Sequence, residues 1–98
     1  MSVSVSLDTS GPAPRCHISG VLDFTTANDA LNQVSRLVNE HAALDIDLAD
    51  VTQSNSAALA LLIEWLAEAK RANHKVTFHH IPDGLRQLAG VCQVDGLI

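Results

Sequence analysis

The sequence predicts a single α/β domain whose mixed β-sheet combines an N-terminal antiparallel hairpin with crossover helices. Segments with an apolar residue at every second position, which is typical of strands, alternate along the chain with segments of helical spacing. The chain has 98 residues, enough for one hydrophobic core but not for two. Because 47% of the residues are hydrophobic, a packed domain is favoured over a disordered segment. We therefore expect residues 1–98 to form one domain.

The first two predicted strands form a hairpin. Val3, Val5 and Leu7 alternate with serines, which indicates a strand with one covered face. Residues 9–14 contain Gly and Pro and predict a turn. Residues 16–19, which precede Gly20, then predict the returning strand.

A first helix is predicted from Ala27 to about Glu40. Thr25 or Thr26 can cap it, and Asp29 places a carboxylate near the free amides of the first turn. Apolar residues then recur at helical spacing at Ala27, Ala30, Leu31, Val34, Leu37 and Val38.

The remaining elements complete the order β-β-α-β-α-β-α. Residues 44–48 alternate again and predict a strand, residues 49–55 predict a polar loop, and residues 56–72 predict a second helix. Residues 75–79 predict the last strand, and Pro82, Asp83 and Gly84 open a third helix. Single helices between strands require a largely parallel inner sheet. The N-terminal hairpin adds an antiparallel strand at its edge.

The second helix is apolar on more sides than a surface helix needs. One side is expected to cover the sheet, with Trp65 at its margin, and it comprises Ala58, Leu59, Leu62, Leu66 and Ala69. The opposite side carries Ala57, Ala60 and Leu61 in its first two turns. Such a helix is either buried on both faces or docked on a partner. We favour docking, because burial on both faces is difficult to arrange in a two-layer domain.

Composition and charge exclude several classes of function. The formal net charge is −5 and the basic residues are scattered, which argues against nucleic-acid binding and against a polybasic membrane patch. No apolar run reaches the length that a bilayer span requires. The chain has two cysteines without metal-ligand spacing, and its N-terminus lacks the features of a signal peptide. A cytoplasmic location with reduced thiols is therefore expected.

Candidate metal ligands and nucleophiles are weakly placed. Asp45, Asp47 and Asp50 have no matching ligand set elsewhere, and His79 and His80 are expected to point to opposite faces of a strand. Ser54, Ser56 and Cys16 could act as nucleophiles only beside a base, which the sequence does not place. No phosphate-binding, zinc-protease or hydrolase motif occurs. We predict that the chain is not an enzyme and holds neither a cofactor nor a metal.

The junction before the second helix is the most informative segment. Residues 52–58 read Thr-Gln-Ser-Asn-Ser-Ala-Ala, and the free amides of a helix start can hold a phosphate, a carboxylate or carbonyl oxygens of a partner. A serine here can equally be only an N-cap. A phosphoserine would also be favourable at this position.

Residues 44–62 resemble the strand, loop and helix start of the STAS domain family. This family includes anti-sigma factor antagonists, sulfate-transporter tails and the MlaB-type subunit of the bacterial phospholipid-transport ABC system. Residues 19–23, Ser-Gly-Val-Leu-Asp, and the order of elements extend the resemblance over nearly the whole chain. In antagonists the loop typically reads Asp-Ser-Ser/Thr-Gly-Leu, with the second hydroxyl residue phosphorylated. Alignment on Leu59 places Asn55 at the Asp, Ser56 at the first hydroxyl and Ala57 at the phosphorylated residue.

The resemblance is closer to the transporter branch, which has a hydroxyl followed by a small residue and the run Leu-Ala-Leu-Leu. It implies a non-catalytic, regulatory cytoplasmic subunit that binds and stabilises the ATPase of a phospholipid-transport ABC complex. Such a subunit meets the inner membrane only through that complex. The resemblance implies partner contacts at Asn55, Ser56, Ala57, Ala60, Leu61 and Glu64. The alternative is an anti-sigma factor antagonist phosphorylated on Ser56 or Ser54. A homodimer through the same helix face is a further expectation.

Overall fold

The computed structural model describes residues 2–98, so Met1 of the predicted domain lies outside it. The elements follow the predicted order, which confirms the α/β class. They are β1 (Val3–Asp8), β2 (Arg15–Leu22), α1 (Ala27–Glu40), β3 (Ala43–Ser54), α2 (Ser56–Arg71), β4 (Lys75–His79), α3 (Asp83–Val91) and a 3-10 helix (Asp95–Leu97).

The four strands form one mixed sheet in the order β1-β2-β3-β4. β1 is antiparallel to β2, while β2 and β3, and β3 and β4, are parallel. This arrangement confirms the predicted parallel inner sheet with an antiparallel edge strand. The parallel strands share a carboxyl edge, at which the chain leaves β2, β3 and β4.

Alternation along the strands separates an apolar face of the sheet from a polar one. Cys16 of β2 pairs with Ile46 of β3, and both are fully buried among the residues that pack on the helices. The next residues along, His17 and Asp47, pair on the other face. The fold therefore has two layers, with the helices on the apolar face.

β3 is longer than predicted. The predicted polar loop of residues 49–55 is wrong, because the strand continues to Ser54, which pairs with Leu22 of β2. Polar side chains do not prevent a backbone from pairing when a neighbouring strand is present. β2 is also longer than predicted and includes Gly20. This residue has a φ of 94°, and the pairing of β2 with β3 shifts register between Gly20 and Val21.

The predicted orientation of α2 needs correction. Trp65 is fully buried instead of lying at a margin, and Leu66 is only half-buried. Ala57 and Leu61, expected on the outer side, are each only 6% exposed. The reason is that α2 contacts α1, α3 and β4, so its apolar residues are covered from several directions.

The start of α1 agrees with the prediction, but its predicted threonine cap does not form. Thr26 precedes the helix, yet its side chain makes no capping hydrogen bond. Instead, Thr26 Oγ1 donates to the carbonyl oxygen of Val21 (2.8 Å) and accepts from the N–H of Asp23 (3.1 Å). Thr26 therefore fixes the turn that joins β2 to α1.

Candidate functional site

Two connections lie side by side at the carboxyl edge of the sheet. Leu22 and Ser54, the last residues of β2 and β3, are paired in register. The loop from Asp23 to Thr26 and the start of α2 at Asn55 therefore leave the sheet next to each other. Ligands of open α/β sheets commonly bind outside the carboxyl ends of the strands.

The start of α2 is capped by Asn55. Its Oδ1 accepts a hydrogen bond from the N–H of Ala57 (2.9 Å), and its carbonyl oxygen accepts from the N–H of Ala58 (2.9 Å). The N-cap of α2 is therefore Asn55, whereas the sequence pattern allows a serine in this role. Ser56 is the first helical residue and is exposed, so its hydroxyl is free to contact another molecule.

The structure divides the six predicted partner residues into two groups. Ser56 and Ala60 are exposed, and Asn55 and Glu64 are half-buried. Ala57 and Leu61 are buried within the domain, so in this conformation they support the helix and offer little surface. We call Asn55, Ser56, Ala60 and Glu64 the α2 patch.

Glu64 lies at the far end of the α2 patch. Its Oε2 forms an ion pair with Nη2 of Arg71 at 3.4 Å, and both side chains are partly exposed to solvent. Such a pair contributes little to stability, so Glu64 is free to exchange partners.

Phe24 is a surface residue that sequence reasoning missed. Its side chain is 73% exposed, and it lies in the loop that leaves the sheet next to the start of α2. The available signal was an aromatic residue in a polar segment, between Asp23 and Thr25, where no amphipathic element requires it. That signal is weak by itself, because single exposed apolar residues are common.

The loop that carries Phe24 is held by hydrogen bonds on both sides. Asp23 Oδ1 accepts from the N–H of Thr25 (2.8 Å) and from Thr25 Oγ1 (2.6 Å). The N–H of Thr26 donates to the carbonyl oxygen of Asp23 (3.2 Å). The hydrogen bond from the Thr25 side chain lowers the pKa of Asp23, so this carboxyl group is charged at neutral pH.

A second polar cluster lies on the open face of the sheet. Asp47 Oδ2 accepts from Arg15 Nε (3.2 Å), while Asp47 Oδ1 accepts from the N–H of Ala49 (2.9 Å) and lies 3.0 Å from His80 Nδ1. Burial raises the pKa of Asp47, but these hydrogen bonds outweigh it and lower the pKa to about 2. The cluster connects β2, β3 and the residue after β4.

His79 and His80 do not separate as the sequence predicted. His79 Nε2 lies 3.0 Å from Asp45 Oδ1, on the same face as the pair of His80 and Asp47. The prediction assumed that both residues lie within the strand, whereas His80 follows β4 and has a φ of 57°. The two histidines therefore contact different carboxylates. Across residues 2–98, no three His, Cys, Asp or Glu side chains are grouped so that they could hold a metal ion.

The candidate nucleophiles lack the features of an active site. Cys16 is fully buried, and burial raises the pKa of its thiol to about 11, which keeps it protonated at neutral pH. The rings of His17, His79 and His80 contact aspartates and that of His74 contacts a backbone carbonyl. Among residues 2–98, no histidine ring is hydrogen-bonded to Ser54 or Ser56.

The helices in the described part of the chain are too short or too polar to cross a membrane.

One family model matches nearly the whole chain. The family model described as "Mlab, STAS domain" matches residues 5–98. Comparison with curated proteins returned no match.

Solved structures share the fold at low sequence identity. An anti-sigma factor antagonist from Mycobacterium paratuberculosis has a TM-score of 0.78 and 18% identity, covering 98% of this chain and 82% of that one. The anti-sigma factor antagonist SpoIIAA in its unphosphorylated form has a TM-score of 0.72 and 9% identity, covering 95% of this chain and 84% of that one. The protein Mglu has a TM-score of 0.65 and 19% identity over 80% of this chain, which corresponds to 19% of Mglu. The chain thus spans about one fifth of Mglu, and these likenesses concern the fold alone.

Proposed function

This chain belongs to the MlaB-type STAS domain family, and on that premise we propose that it is a non-catalytic subunit that binds the cytosolic ATPase of a phospholipid-transport ABC complex. The proposal places the chain on the cytoplasmic side of the inner membrane, where the ATPase connects it to the transporter. The observation that carries the proposal is the exposed, firmly capped start of α2, where Ser56 and Ala60 allow close approach of a partner backbone.

Binding would regulate the ATPase by stabilising its folded or dimeric form. A protein that binds only the native form of its partner stabilises that form by about 2.7 kcal/mol at a concentration 100 times the Kd. The α2 patch suits this role because its backbone is already ordered, so little conformational entropy is lost on binding. Transport of phospholipid would then depend on how much of the ATPase carries this subunit.

Substitution at Ala60 tests the proposed surface. Ala60→Arg places a long side chain in the α2 patch, and we expect it to weaken binding to the purified ATPase at least tenfold, or about 1.4 kcal/mol. Ala72→Arg is the matched control, because Ala72 is also exposed but follows the other end of α2. Calorimetric titration of the full chain into the ATPase measures both affinities.

Two results would contradict the proposal. If the wild-type chain does not bind the ATPase, the assigned partner is wrong. If Ala60→Arg and Ala72→Arg bind as tightly as wild type, the ATPase binds a different surface. Leu61 is a poor choice for this test, because the side chain is buried and a charge there would unfold the domain.

The alternative function is an anti-sigma factor antagonist regulated by phosphorylation. Exposure of Ser56 at the positive end of α2 supports it, because the helix dipole stabilises a phosphate at this position. Ser54 is half-buried at the end of β3 and is less accessible to a kinase. Incubation with an anti-sigma kinase from the same organism, followed by mass spectrometry, tests this alternative. An unchanged mass would argue against it.

A further inference from the structure

Phe24 exposes a large apolar side chain in the loop that leaves the sheet next to the start of α2. At 73% exposure it contributes little to the core of the domain. Aromatic side chains, Phe among them, are enriched in the core of protein–protein interfaces. They bury a large area and have only two side-chain torsions to fix, so the entropic loss on binding is small.

The loop holds Phe24 in a defined position. Asp23 and Thr26 form hydrogen bonds that fix the backbone on either side of it. The pairing of Leu22 with Ser54 then sets this loop next to the start of α2. A contact residue on an ordered backbone binds with a smaller entropic penalty than one on a mobile loop.

Charge near Phe24 is negative. Asp23 precedes it, and Asp29 lies in the first turn of α1. Three of the six basic residues lie at the opposite edge of the sheet, at the starts of β2 and β4 and in the last turn of α2: Arg15, Lys75 and Lys70. Arg71, also in that turn, is paired with the carboxylate of Glu64. A partner surface that complements this end of the domain is therefore positively charged.

We propose that Phe24 is the apolar anchor of the interface with the ATPase, and that it inserts into an apolar pocket bordered by lysine or arginine side chains of that partner. This inference rests on the proposed function, because the partner is the ATPase assigned there. It adds a residue outside α2 and specifies the chemistry of the partner surface.

The test compares Phe24→Ala with Val91→Ala in binding to the purified ATPase. Phe24→Ala is expected to weaken binding roughly 30-fold or more, as loss of an anchor residue does. Phe24→Leu keeps an apolar side chain and should bind with intermediate affinity. Val91 is 81% exposed at the end of α3, so Val91→Ala removes exposed apolar surface from a different helix and should bind within about threefold of wild type.

A second comparison tests the basic border of the pocket. Asp29→Lys is expected to slow association about tenfold at low salt, with the difference shrinking at high salt. Asp95→Lys makes the same change of charge in the exposed 3-10 helix and should associate like wild type. Thermal unfolding monitored by fluorescence verifies that every variant is folded.

Each outcome supports or overturns a separate statement. Absence of wild-type binding overturns the proposed function together with this inference. Wild-type binding with an unchanged affinity for Phe24→Ala overturns the anchor and leaves the proposed function standing. An unchanged association rate for Asp29→Lys overturns the basic border of the pocket.

Discussion

Replacement of Asp47 by asparagine is expected to remove a stabilising charge from the open face of the sheet. The Asp47 carboxylate accepts hydrogen bonds from Arg15 and the N–H of Ala49, and it lies 3.0 Å from His80 Nδ1. Asparagine keeps one oxygen that can accept from the Ala49 N–H, but it loses the charge that holds Arg15 and His80. The variant therefore isolates the charged contacts between neighbouring strands.

The magnitude follows from the pKa of Asp47. Burial raises this pKa, but the hydrogen bonds lower it by a larger amount, so it falls from 3.8 to about 2. The difference corresponds to about 2 kcal/mol when the group is fully ionised. Since the His80 side chain is 65% exposed, solvent screens part of the interaction. We expect Asp47→Asn to lower the free energy of unfolding by about 1–2 kcal/mol at pH 7.

The direction of the pH dependence follows from the lowered pKa. The folded protein holds the Asp47 proton less tightly than the unfolded chain does, so the charge stabilises the fold above about pH 4. This stabilisation is lost as the pH falls towards about 2. The difference between wild type and Asp47→Asn should therefore shrink to about a third by pH 2.5. Asp8 and Asp23, whose pKa values are lowered by hydrogen bonds from Ser10 and Thr25, titrate in both proteins and cancel.

Urea denaturation followed by tryptophan fluorescence measures these differences. Trp65 is the single tryptophan, it is fully buried, and the chain has no tyrosine to interfere. Asp50→Asn is the matched control, because Asp50 is an exposed aspartate of the same strand and its change should stay within about 0.5 kcal/mol. Equal stability of Asp47→Asn and wild type at pH 7 would refute the reasoning, as would a difference that does not depend on pH.

Two further predictions concern the backbone conformation at Gly20 and the N-cap of α2. Gly20→Ala should destabilise the domain by about 2–4 kcal/mol, because the residue has a φ of 94° and a Cβ would lie 2.5 Å from the Ser2 carbonyl oxygen. Gly84→Ala, at an open helical position, should be neutral or slightly stabilising in the same urea assay, and an equal loss in both variants would contradict the steric argument. Asn55→Ala should cost about 1 kcal/mol through loss of the α2 cap, whereas Asn55→Asp should retain it. Equal thermal stability of the alanine and aspartate variants would show that the cap does not matter.

Local sequence patterns were sufficient to place an element when only one of its faces is covered by the rest of the domain. The alternation of Val3, Val5 and Leu7 placed β1 correctly, because a strand with one covered face needs only that period. The spacing of apolar residues likewise gave both ends of α1. The extension of β3 through Ser54 was missed, since backbone pairing with β2 does not require apolar side chains.

The candidate site was predicted in part. The sequence identified the start of α2 and the exposed residues Ser56 and Ala60. It placed Leu61 on the outside, because a helical wheel shows which residues share a face but not how many elements cover the helix. It also missed Phe24, whose exposure depends on a loop folded by the contacts of Asp23 and Thr26.

By itself, the sequence determined the α/β class, the order of elements and the segment at which α2 begins, because periodicity and capping are local properties of the chain. Only the tertiary structure decided which sides of α2 are covered, how far β2 and β3 pair, and that His79 and His80 face the carboxylates of β3. These features depend on contacts between residues distant in the sequence. Their energies arise from burial and backbone pairing that exist only once the elements have come together.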